Sequence, residues 1–416
     1  MGTMKLRNYH RRTPEQVLRA VEVFRLYHDL LHEQVQKGNI KSSVDRGAFT
    51  RPQEVLSDEI LDLLGKDRRS NSYAYGPEKG DFDVRGKIAD LENTKHGTSY
   101  TPDQVAMMPG AWAGLEFVLQ EVVGLQRGKL SKREIAVIGP TLYQMFHSPI
   151  HYLGMNIIAY DFTVLEKSSV PSKEDIDEIL DNNPKAIVIS NPNNPDGKYI
   201  SNNVLKHTIE RCEEQNTSVI IDEMQNCFPT TEIDELRYGE WIQKPHVIRV
   251  DSASKRYALA EYRVGWVIAD ESVLGDRVHG IVGRMSGIMG NAPRAANTAL
   301  MRIMQYELDK IDREYDFLKE SKKELLQKEK YVLKRLEDIP RVKRIIARDA
   351  CINLTFQVDY PGTDLDLAID LMDKGTLIMP ACGYGYDAKD VVMRFTFAER
   401  YGKLEQALDC LENVLT

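Results

Sequence analysis

The chain has 416 residues, of which 42% are hydrophobic and 28% charged, enough to bury a substantial core in two or three domains and unlike a disordered or fibrous composition. Its 55 Lys+Arg against 63 Asp+Glu leave a net charge of -8, which argues against a nucleic acid held by phosphate neutralisation and makes any basic site a local one. No run is long and apolar enough to suggest a membrane span.

The basic start MGTMKLRNYHRR leads into no apolar signal core, so secretion is not expected. From Pro14 to Gln36, Val17, Val21, Phe24, Tyr27, Leu31 and Val35 recur at helical spacing, and Lys37, Gly38 and Asn39 end the run: an amphipathic helix is predicted. From Asp103 to Asp270, seven short runs rich in Val and Ile (QVAMM, EIAVIG, NIIAYDF, KAIVIS, SVIIDE, VIRVD, RVGWVIA) are mostly separated by longer connections. They predict an α/β domain built on a mostly parallel seven-stranded sheet with helices on both faces. After Pro293 a long, charged helical stretch leads into mixed strands and helices of a small α+β unit.

The segment DSASKRYALAEYRVG, Asp251 to Gly265, lies between two predicted strands. Ser252, Ser254 and Arg263 could hold a phosphate dianion while Lys255 forms a Schiff base with an aldehyde, which is what pyridoxal 5'-phosphate (PLP) requires. Asp222 ends the run SVIID, where a carboxylate at the C-terminal edge of a parallel strand can face a ligand. SNPNNPDG, Ser190 to Gly197, follows another strand and contains Asn194. In MPGAWAGLE the chain passes from strand through Gly110 into a helix, whose first N–H groups, at Ala111 and Trp112, are suited to an anion. Arg394 lies in the β-run VMRFTFA. Taken singly, each has an ordinary reading as a solvated loop, helix cap, Pro/Asn/Gly turn or edge-strand charge.

Together, and in this order, these segments resemble the fold-type I PLP-dependent enzymes of the aminotransferase class I/II family over nearly the whole chain. The resemblance implies that Lys255 forms the Schiff base, Asp222 pairs with the pyridine nitrogen, Asn194 bonds the ring phenolate near the substrate carboxylate, and Arg394 grips that carboxylate. It also implies that Tyr143, in GPTLYQMF, stacks on the ring, although it lies three rather than two residues after the proline. Tyr75, in YGPEKGDFDVR, resembles a tyrosine that reaches the phosphate of the other subunit, which implies a homodimer with shared active sites. The implied layout is an N-terminal helical segment, 1–50, packing with the small domain, a large PLP-binding domain, 51–300, and a small C-terminal domain, 301–416. The expected partners are an amino acid and a 2-oxo acid, with no nucleic acid or membrane.

Three features depart from the family pattern. Gln225 stands where a tyrosine usually donates to the phenolate, Glu261 where many members have glycine, and the N-terminal helix is long enough to carry His28 or His32 towards the site, although the expected place for both is facing solvent or packed between helices. The favoured activity is amino-group transfer through Cα deprotonation to a quinonoid. The alternatives are a PLP-dependent oxidase, cyclase or lyase, resembling arginine oxidases or capreomycidine synthase, and a PLP-sensing regulatory module. The five cysteines, Cys212, Cys227, Cys351, Cys382 and Cys410, are widely spaced without C-x-x-C, so no disulfide framework or zinc site is expected and a cytoplasmic location fits. His147 and His151 have metal-pair spacing, but Pro149 between them is expected to prevent a shared helical face.

Overall fold

The computed structural model describes residues 9–45, 58–65, 75–125, 129–163, 170–230, 237–310 and 319–416. Strand β1 (His10–Arg12) leads into helix α1 (Pro14–Gln36), which begins with a Thr13/Gln16 capping box and Pro14 in its first turn. Val17, Val21, Phe24 and Tyr27 are buried along one side of α1, whereas Val35 at its far end is exposed. Strand β2 (Ser42–Ser43) follows.

All seven apolar runs form strands: β3 (Val105–Met108), β4 (Ile135–Gly139), β5 (Ile157–Asp161), β6 (Ala186–Ser190), β7 (Ser218–Asp222), β8 (Val247–Ser252) and β9 (Gly265–Ile268). With β1 they make an eight-stranded sheet in the order β1-β5-β4-β6-β7-β8-β9-β3. The pairs from β5 to β8 are parallel, and β9 runs antiparallel to both β8 and β3. Strands buried on both faces have no polar side to display, hence their continuous Val/Ile runs.

The extra strand corrects the seven-stranded expectation. β1 has no apolar alternation because charge seats it: it pairs antiparallel with β5, Arg12 Nε lies 2.7 Å from Asp161 Oδ2, and Arg11 lies 3.5 Å from Glu134. His147–His151 is also helical, with the two rings stacked 5.2 Å apart, because a proline in the first turn forfeits no intrahelical donor. Among the described residues no cluster of potential metal ligands occurs.

The long charged stretch forms two helices, Arg294–Lys310 and Lys319–Glu337, either side of residues outside the described set. Beyond them, β10 (Val342–Ile346), β11 (Asn353–Val358), β13 (Met379–Pro380) and β14 (Val392–Thr396) form an antiparallel sheet in the order β10-β11-β14-β13, and β12 (Thr376–Leu377) pairs in parallel with β2. Ser42 and Thr376 share a hydroxyl hydrogen bond of 2.9 Å, so a strand near each end of the chain joins here. No helix among the described residues is long and apolar enough to cross a membrane.

Candidate active site

Parallel pairing aligns the C-terminal ends of β6, β7 and β8: Ser190 is in register with Asp222, and Asp222 with Val250. This end of a parallel sheet, where strands hand over to loops, is the usual place for a ligand. Beside it lies a cavity of about 340 Å³. Its wall includes Lys255, Ser254, Arg263, Asn194, Gln225 and Arg394, drawn from four separate segments of the sequence.

Lys255 lies on the short helix Ala253–Arg256, which is capped by Ser252: the Ser254 N–H donates to Ser252 Oγ at 3.3 Å. Burial, with the Arg394 and Arg263 guanidiniums adding to it, pushes the Lys255 amine down to about 8. Asp222 is buried at the end of β7 and accepts the Met224 N–H at Oδ1, 3.0 Å away. Burial pushes its carboxyl up to about 6, with Glu223 acting in the same direction and the Met224 N–H opposing it. A carboxyl raised in this way is suited to a cationic ring nitrogen.

Gly110, at φ 88°, starts the helix Ala111–Val122. A Cβ on Gly110 would lie 2.6 Å from Arg263 Nη2, so glycine lets the guanidinium approach the helix start. Gly265 serves the other side, since a Cβ there would lie 2.6 Å from the Ala111 nitrogen. Ala111 and Trp112 line the cavity with Arg263 and Ser254, a cationic corner at a helix N-terminus that could hold a phosphate.

Arg394 is buried on β14, between β11 and β13, and so is not an edge-strand charge. Nη1 donates to Asn194 Oδ1 at 3.3 Å, Nη2 donates to the Asp45 main-chain carbonyl, and the guanidinium sits 5.0 Å above the Tyr384 ring. Its Nε is buried without a partner, as is Gln225 Oε1 in the same wall. Asp196, in the Asn194 loop, is buried and accepts from the Tyr386 hydroxyl at 3.0 Å, which ties that loop to the C-terminal third.

Three further candidates, Tyr143, Ser252 and Tyr75, lie away from the wall. Tyr143 is corrected: it is fully buried, and its hydroxyl donates to Asp161 on β5. The turn Tyr143–Phe146 points it into the sheet, whereas Leu142, two residues after Pro140, lines the cavity. Ser252 is occupied as the cap of the Lys255 helix and is absent from the wall. Tyr75 is 93% exposed and outside this chain's own cavity. Glu261 is exposed. His28 lines the cavity together with Phe24 and Leu31, whereas His32 is exposed. Asp45, Tyr384, Gln144 and Met379 are wall residues that sequence reasoning missed, and only the two-residue offset from Pro140 could have pointed to Leu142.

The large mixed sheet, the smaller antiparallel sheet and the lysine, carboxyl and arginine around one cavity define an α/β enzyme of the PLP-dependent aminotransferase type. Residues 47–410 match the family model "Aminotransferase class I and II". The chain belongs to that family and is an aminotransferase-like transferase. It is 23% identical to the (5-formylfuran-3-yl)methyl phosphate transaminase of Methanocaldococcus jannaschii, over 88% of this chain and 89% of that one. It is 24% identical to an S-alkyl-thiohydroximate lyase of Arabidopsis thaliana, over 86% and 75%. Its fold superposes on the aspartate aminotransferase of Thermus thermophilus solved with maleate, with a TM-score of 0.78 and 17% identity, covering 95% and 96% of the two chains.

Proposed function

We propose that the protein is a cytoplasmic, homodimeric, PLP-dependent aminotransferase that transfers the amino group of an L-amino acid to a 2-oxo acid. The observation that carries this reading is the convergence of Lys255, Arg263, Asn194 and Arg394 on one cavity, with Asp222 buried at the strand end beside it. The unpartnered Arg394 Nε and Gln225 Oε1, and the raised Asp222 carboxyl, fit a polar group between them. Five free cysteines suit a reducing compartment.

PLP bound here would supply an aldehyde that condenses with amines and a ring that withdraws electrons from the substrate α-carbon. Arg263, Ser254 and the N–H groups of Ala111 and Trp112 hold its phosphate. Lys255 Nζ would be the residue that anchors the aldehyde and, as a free amine, the base suited to take the proton from the substrate Cα. An amine pushed down to about 8 is neutral in a useful fraction near neutrality, as a base must be. Asp222 would keep a proton on the ring nitrogen, and the Gln225 amide nitrogen would donate to the ring oxygen in place of a tyrosine. Arg394, steadied by Asn194, takes the α-carboxylate on its planar fork. Tyr75, too exposed to serve its own cavity, completes the phosphate cup of the second subunit. Residues 301–416 form the small domain beside the cofactor domain, 51–300, and the N-terminal segment packs with it through the pairing of β2 with β12, while β1 joins the large sheet.

The family match and the transaminase relative favour amino transfer over oxidation, cyclisation, elimination or PLP sensing. The test is to load the purified protein with PLP, fix the cofactor with borohydride and map the labelled peptide to Lys255. An amino acid should then convert the unreduced protein to its pyridoxamine phosphate form, and a 2-oxo acid should reverse it. Oxygen consumption or ammonia release without that form would overturn the proposal.

A further inference from the structure

With the cofactor and α-carboxylate groups assigned as above, the remaining wall includes Phe24, His28 and Leu31 of α1, together with Asp45, Met379 and Tyr384. Positions 24, 28 and 31 share one helix face, so α1 roofs the space where a substrate side chain would lie. Asp45 is the only acidic residue in the wall among the described residues and is 2% exposed. The Ser43 hydroxyl donates to its Oδ1, and among the described residues no Lys, Arg or His bonds to its carboxylate. The nearby Arg394 reaches Asp45 through its main-chain carbonyl and not through its carboxylate. Burial pushes the Tyr384 hydroxyl up to about 12, with Arg394 opposing and Asp45 adding.

A buried carboxylate without a cation is costly, and the cost is offset when a ligand supplies the cation. An anionic side chain would meet the reverse. The Lys and Arg residues of the wall are Lys255, Arg263 and Arg394, all engaged by the reading above, which leaves the His28 imidazole as the remaining basic group for a distal carboxylate among the described residues. We propose that the amino donor carries a cationic side chain, an amine or guanidinium, whose charge is read by Asp45 while Phe24, Leu31 and Met379 cover its methylene stem. The proposal rests on the aminotransferase reading.

The test uses PLP-loaded protein with L-ornithine, L-arginine, L-norleucine and L-glutamate. It measures the single-turnover rate constant over Kd for pyridoxamine phosphate formation, and the equilibrium Kd of the same amino acids with PLP-loaded Lys255→Ala protein. Ornithine or arginine should exceed norleucine by about 10-fold or more, with glutamate last. Asp45→Asn should lower the cation-to-norleucine ratio by about 10-fold and raise the glutamate-to-norleucine ratio, opposite movements that general damage to the site does not produce. Asp45→Glu should keep the order. Unchanged ratios in Asp45→Asn, or a wild-type preference for glutamate or norleucine, overturn the proposal. If Asp45→Asn does not fold, the wild-type order alone decides. If neutral amino acids react and cationic ones do not, only the side-chain assignment fails; if no amino acid yields pyridoxamine phosphate, the aminotransferase reading fails and takes this inference with it.

Discussion

Arg394 on β14 donates to Asn194 Oδ1 at 3.3 Å, joining the smaller sheet to the loop after β6 of the large one. The contact joins residues 200 positions apart, the pair proposed above to clamp the substrate carboxylate. Arg394→Lys retains the charge but loses the planar fork and the stacking over Tyr384. Its kcat/KM for any amino acid is expected to fall about 100-fold, while thermal unfolding shifts little. Steady-state kinetics beside a melting curve check both.

Asp222 ties function to a stability penalty. Its folded-state carboxyl is raised to about 6 from the ordinary 3.8, so between those values the folded protein holds more protons than the unfolded one. Stability contributed by this group therefore falls as pH rises through that window, and at neutral pH the buried charge destabilises the cofactor-free protein. Asp222→Asn should stabilise cofactor-free protein by about 1–3 kcal/mol at pH 8 and hardly at pH 4. The same variant loaded with PLP should lose about 100-fold or more in kcat. Denaturant titrations at the two pH values, with single-turnover rates, test the pair of effects.

The Lys255 case runs the other way along the pH axis. With its amine lowered to about 8 from 10.5, the unfolded chain binds more protons across that interval, so stability rises with pH through it and the penalty is complete below it. Cofactor-free Lys255→Met should be more stable than wild type at pH 7 by about 1–3 kcal/mol. The difference should shrink as pH approaches 10. A difference that is constant over this range would remove burial of the charged amine as its cause.

Arg12 and Asp161 form the ion pair that fastens β1 to the sheet, and Arg12 Nη2 also donates to the Gly385 carbonyl at 2.8 Å, next to the cavity residue Tyr384. Removing only the cation leaves a fully buried carboxyl beside the Tyr143 hydroxyl. Arg12→Met should cost about 3 kcal/mol, and the double variant Arg12→Met/Asp161→Asn should recover much of it. Chemical unfolding of the three proteins gives the comparison. A double variant as unstable as the single one would rule out the stranded charge as the cause.

Gly110→Ala tests the phosphate corner. The added methyl would meet Arg263 Nη2 at 2.6 Å in a backbone conformation that favours glycine. Displacement of the guanidinium should weaken PLP retention about 10-fold or more, measured by equilibrium dialysis.

The layered sheet was legible because burial on both faces writes itself into each strand as an uninterrupted apolar run. Lys255, Asp222, Asn194 and Gly110 could be read because each lies where a strand gives way to a turn or helix, a change of pattern visible within a few residues. β1 could not, because three residues held by Arg12 and Arg11 have no periodicity to show. Tyr143 and Leu142 were exchanged because a turn rotates adjacent side chains to opposite sides, and sequence offset alone did not say which one met the cavity.

The sequence by itself determined the α/β class, the order of the strands along the chain and the set of chemically suited residues, since these follow from local periodicity and turn chemistry. Only the tertiary structure decided which of those residues share a cavity, that α1 roofs it with Phe24, His28 and Leu31, and that Asp45 enters its wall. Those facts depend on contacts such as Arg394 to Asp45, 349 positions apart, and Arg12 to Gly385, 373 apart. Packing between elements makes such contacts, and no local sequence pattern records them.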